Sequence, residues 1–154
     1  MVLPIEAQAI IHGFLGTVVL MSFSGAFAEL VGLCKAGIRR VRIGVTAMFA
    51  ATVLTVATGI IIYIPYRAAG GPRSEILAGP IPWVHTILFE LKEYAGVYAA
   101  IILLMAVILV SRHGDQILAE RRFRLSTAWI LVLSMLVVLL TYGLGAYVTK
   151  IAPL

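Results

Sequence analysis

Apolar residues in this chain neither alternate nor form a narrow stripe. They run on, nearly uninterrupted, in four long stretches near Gln8 to Leu33, Arg42 to Tyr66, Trp83 to Ser111 and Arg124 to Lys150. A helix of about 20 residues crosses a hydrocarbon layer of roughly 30 Å, and each stretch is long enough to do so. The pattern predicts an all-α integral membrane fold, a four-transmembrane-helix up-down bundle in one domain over residues 1–154. Almost nothing is left for a separate soluble domain, so the working parts belong to the bundle and its short loops.

The punctuation between the stretches fits this reading. Pro4 opens the first helix, along which small residues recur at Gly13, Gly16, Ser24, Gly25 and Ala28, as expected where helices in lipid approach closely. The second helix carries threonines able to bond back to their own backbone, and it closes on Tyr63, Pro65 and Tyr66. A loop with Gly70, Gly71, Gly79, Pro72, Pro80 and Pro82 follows, predicted as the one long irregular segment. Its Ile76, Leu77 and Ile81 suggest that it lies over the mouth of the bundle. The fourth helix ends on Tyr142 and Tyr147, an aromatic anchor.

Composition agrees: 62% of residues are hydrophobic and 12% charged, against about a quarter charged in soluble domains. The net charge of +5 matters less than its placement. Lys35, Arg39, Arg40 and Arg42 lie in the first connection, and Arg112, Arg121, Arg122 and Arg124 in the third, which together hold eight of the twelve basic residues. The positive-inside rule puts both loops in the cytoplasm and both termini outside. The expected setting is a bacterial or archaeal cytoplasmic membrane, with the basic loops against anionic lipid and no nucleic acid involved. Met1 to Ala7 has no basic segment and does not read as a cleaved signal peptide. Cys34 is the only cysteine, which excludes an internal disulfide and a thiolate-clustered metal site.

The halves of the chain resemble one another. Arg39, Arg40, Arg42 and Ile43 align with Arg121, Arg122, Arg124 and Leu125, and Gly59 and Tyr63 align with Gly143 and Tyr147. His12 and His85 then hold equivalent places near the outer ends of the first and third helices. The pattern suggests a two-helix unit used twice, although apolar helices joined by basic loops also resemble each other by chance.

Candidate chemistry concentrates in Pro82 to Tyr98, PWVHTILFELKEYAGVY. Steps of three and four residues place His85, Phe89, Lys92, Glu93 and Gly96 on one helical face. The first and third helices run parallel and sit diagonally in an up-down bundle, which leaves room for a flat cofactor between His12 and His85. Two neutral imidazoles suit the axial positions of a b-type haem. Gly16 clears space for the macrocycle, Phe89 stacks beside it, and Lys92, Arg67 and Arg73 are cations for its propionates. The plainer reading has both histidines in the membrane interface, bonded to water or headgroups. Glu90 supports a second reading, as the acceptor of a proton from a bound quinol. Alternatively, Glu90, Lys92 and Glu93 are only the solvated end of a long helix. No phosphate-binding loop, metalloprotease motif or serine nucleophile elbow is present.

At HGFLG, at PWVHTILFELKEYAG and at the paired RRVRI and RRFRL loops, the chain resembles small four-helix membrane cytochromes of the b type. It is also similar to the small four-helix proteins associated with bacterial haem-copper oxidases. The resemblance implies a membrane electron-transfer subunit with one haem near the outer face, exchanging electrons with quinol or an external partner inside a larger redox complex. A cofactor-free structural or assembly subunit of a respiratory or photosynthetic complex is the alternative. A proton-coupled carrier is disfavoured, since no pair of broken helices occupies corresponding positions in the two halves.

Overall fold

The computed structural model describes residues 4–32 and 34–151. The expected end of the first helix at Leu33 lies outside the described residues, as do residues 1–3 of the opening segment. Four long helices form the molecule: α1 (Ile5–Val31), α2 (Gly37–Tyr66), α4 (Val84–Arg112) and α6 (Arg121–Ile151). All four are long and apolar enough to cross a membrane, so this is an integral membrane protein. Two short helices, α3 (Pro72–Ala78) and α5 (Gly114–Ala119), lie in the second and third connections.

The helices pack in a ring, with α1 against α2 and α6, and α4 against the same two. That leaves α1 and α4 as one diagonal pair and α2 and α6 as the other. Cross-contacts fix the antiparallel register: His12 near the start of α1 meets Gly59 near the end of α2, and Lys92 of α4 meets Gly145 of α6. Lipid tails are as apolar as these side chains, so close packing rather than burial from water holds such helices together. At Gly44 an added Cβ would stand 2.8 Å from the Cβ of Ala26, so α1 and α2 touch almost backbone to backbone there. Val45, Met48, Leu103, Ala106 and Leu131 fill the interior around that level. Ile10, Ile64 and Trp129 point outward, as side chains facing lipid should.

At the basic end, Arg40 pairs with Glu29 at 2.7 Å. Both side chains stay substantially exposed, so the pair adds little to stability.

The opposite end differs from expectation in two respects. The second connection is not irregular throughout. Gly70 turns it in the left-handed region (φ 75°), and Pro72 at the first turn of α3 lets a short helix form. Ile76 of α3 is buried with Tyr66, Val84, Phe89 and Val148, so the segment does cover the bundle mouth. In addition, α4 opens with a π-helical turn over Val84–Phe89. Such turns widen the helix and are frequent at functional sites.

Candidate functional site

A cavity of about 490 Å³ lies inside this end of the bundle, within the size range of small-molecule sites. Its upper level takes one position from each long helix: His12, Gly59, Lys92 and Gly145. Its floor does the same, with Val19, Thr52, Ala99 and Val138. On every helix the two levels are seven residues apart (12 and 19, 52 and 59, 92 and 99, 138 and 145). Seven residues of α-helix rise about 10 Å, which sets the depth between the levels. The roof is aromatic. Phe89 stacks on Tyr66 with centroids 4.3 Å apart and planes 4° from parallel, and Tyr63 stacks on Phe89 at 5.7 Å.

Two glycines open the upper level. A Cβ at Gly59 would come within 3.2 Å of Cε1 of His12, and one at Gly145 within 3.2 Å of Cε of Lys92. A side chain at either position would require the histidine or the lysine to shift.

The polar groups of this lining are few. Nδ1 of His12 lies 3.1 Å from the hydroxyl oxygen of Thr58. The single proton of that hydroxyl is shared between the carbonyls of Leu54 and Thr55, 2.9 and 3.0 Å away, and the oxygen then accepts from the histidine. With that back-bond made, Nδ1 carries the ring proton and Nε2 presents its lone pair. The ammonium of Lys92 lies 5.0 Å from the centre of the Phe89 ring, a cation–π contact, and it forms no ion pair among the described residues. Glu93 lines the same space.

His85 is placed quite differently. It is buried behind the roof and does not line the cavity. Nε of Arg73, reaching over from α3, donates to Nε2 of His85 at 3.0 Å. Nε2 must therefore carry the lone pair, and Nδ1 donates to the hydroxyl of Tyr66, also at 3.0 Å. Both ring nitrogens are spent.

The structure thus gathers four members of the face read from the sequence, Phe89, Lys92, Glu93 and Gly96, around one cavity together with His12 and Gly16. It does not bring His85 to them. In this arrangement the two histidines do not meet across an open space, and both nitrogens of His85 have protein partners. Gly16 has a different neighbour from the one expected, since a Cβ there would meet the ring of Tyr142 at 3.0 Å. Phe89 stacks on tyrosines of α2. Arg73 is committed to His85, and the guanidinium of Arg67 lies 5.2 Å from the centre of the Tyr63 ring. Glu90 is exposed and outside the cavity, because one residue after Phe89 it is turned about 100° around the helix from that inward-facing ring; Glu93 is the carboxylate in the lining.

Sequence reading missed Thr52, Thr55, Tyr63 and Tyr66 as site residues. The threonines look like ordinary back-bonding residues of an apolar helix, and the tyrosines like an interfacial anchor. The spacing Thr52, Thr55, Gly59, Tyr63 and Tyr66, in steps of three and four, was the available signal. No protein family, curated protein or solved structure matches this chain, so its function is read from the geometry of the cavity.

Proposed function

We propose that this chain is a membrane subunit that binds a lipid-soluble quinone or quinol in the cavity between its helices and serves a larger electron-transfer complex. The observation that carries the reading is the joint presence of His12 and Lys92 in a mostly apolar cavity within membrane-spanning helices. A quinone ring needs apolar walls and a small number of polar contacts for its oxygens. Lys92 is a donor suited to a carbonyl, and Nε2 of His12 is an acceptor suited to a quinol hydroxyl. Both stand beneath the flat aromatic roof made by the Tyr66–Phe89 stack. In this reading the cavity end faces outward and the basic loops lie at the cytoplasmic surface.

Titration of the purified protein in lipid nanodiscs with a short-chain alkyl-1,4-benzoquinone tests the reading. Saturable binding that weakens in both His12→Ala and Lys92→Met supports it; no saturable binding overturns it. The rival occupant is haem on His12, favoured by the unengaged Nε2 and the glycine-lined upper level. A Soret band in the purified protein that disappears in His12→Ala would replace quinone with haem as the resident ligand.

A further inference from the structure

Hydroxyls inside membrane helices usually bond back to a carbonyl one turn earlier. The buried hydroxyls of Thr127 and Ser134 do so at 2.8 Å, and Thr55, on the cavity wall, does so at the same distance. Thr52 is the exception. It is 5% exposed, it lines the cavity floor, and its Oγ1 is the buried side-chain polar atom without a hydrogen-bond partner among the described residues. An orphaned hydroxyl in an apolar interior costs free energy that an ordinary back-bond would recover. Its presence at the floor of a cavity points to a partner that arrives from outside the chain.

The position of Thr52 also specifies the partner. Two turns of helix, about 10 Å, separate its level from that of His12 and Lys92. An oxygen pair on adjacent ring carbons does not span two helical turns, so a ring ligand that meets both levels carries its oxygens on opposite sides. We infer that Thr52 is the deep contact for the far oxygen of a para-dioxygenated ring, and therefore determines which quinone-class ligands the cavity accepts. This rests on the proposed quinone site. The Thr52 hydroxyl donates to the far carbonyl of the quinone and accepts from the far hydroxyl of the quinol, while His12 and Lys92 hold the near oxygen. The same contact serves both redox forms, because a hydroxyl rotates to donate or accept.

The test compares two probes in nanodiscs holding the full chain: an alkyl-1,4-benzoquinone, and a 4-alkylphenol of similar size with a single ring oxygen. Wild type is expected to bind the dioxygenated ring about tenfold more tightly, the range expected for one well-made hydrogen bond in a dry site. Thr52→Val removes the hydroxyl at nearly constant shape, so it should lose about tenfold toward the quinone, keep its affinity for the phenol and fold at least as stably as wild type. Thr52→Ser should restore the preference. Unchanged quinone affinity in Thr52→Val, or an equal loss toward both probes, overturns the assignment of Thr52 while leaving the site intact. Failure of wild type to bind either probe overturns the quinone site itself, and the assignment with it.

Discussion

His12 and His85 look interchangeable in the sequence, one near the start of each odd-numbered transmembrane stretch, yet they occupy opposite physical situations. His12 stands in the wall of a cavity, with one nitrogen tethered to Thr58 and the other free to meet a ligand. His85 is a buried strut, clamped between Arg73 of the covering segment and Tyr66 of α2. The difference teaches that depth in the membrane does not decide the use of an imidazole. What decides it is whether neighbouring elements supply partners for both nitrogens, and among the described residues it is His85 over which an arginine-bearing helix folds.

The largest effect should come from removing the partition between the two regions. Phe89→Ala deletes a ring that is 8% exposed and stacked on two tyrosines, and a loss of about 3 kcal/mol is expected from thermal unfolding in detergent. The same substitution opens His85 to the cavity, and ligand affinity should fall with stability. If unfolding is unchanged, the aromatic roof is not what holds this end together.

His85→Ala comes next. It leaves the guanidinium of Arg73 and the hydroxyl of Tyr66 without their shared partner, for a cost of about 2 kcal/mol. His12→Ala should give the reverse pattern, with thermal stability close to wild type and quinone affinity reduced about tenfold. Finding the binding defect in His85→Ala alone, at unchanged stability, would exchange the roles assigned to the two residues.

The smallest effects belong to groups outside both regions. Glu90→Gln should leave quinone affinity unaltered, since the carboxylate is exposed and not in the lining. A binding defect there, with Glu93→Gln silent, would show that the ligand enters along the opposite face of α4.

How much of this was legible beforehand follows from what periodicity records. The four spans were legible because apolar length is a direct consequence of bilayer thickness. The diagonal placement of α1 and α4 followed from alternation of direction, and the inward row of Phe89, Lys92, Glu93 and Gly96 from steps of three and four residues. Three things were not legible. The π-helical turn at Val84–Phe89 leaves no mark on an apolar pattern. The bond from Arg73 to His85 depends on how a glycine- and proline-rich connection folds back, and single residues such as Gly70 control that locally. The orphaned hydroxyl of Thr52 is a property of rotamer and packing, invisible among the other threonines of α2.

The central claim is that the free nitrogen of His12, and not His85, meets the ligand. Nitrogen NMR of protein labelled only at its histidines, recorded in nanodiscs before and after addition of the alkyl-1,4-benzoquinone, tests this most directly. The predicted result is a shift of the His12 Nε2 resonance with the His85 pair unmoved, each assigned by its alanine variant. A shift confined to His85, or no shift in either residue at saturating probe, would contradict the account.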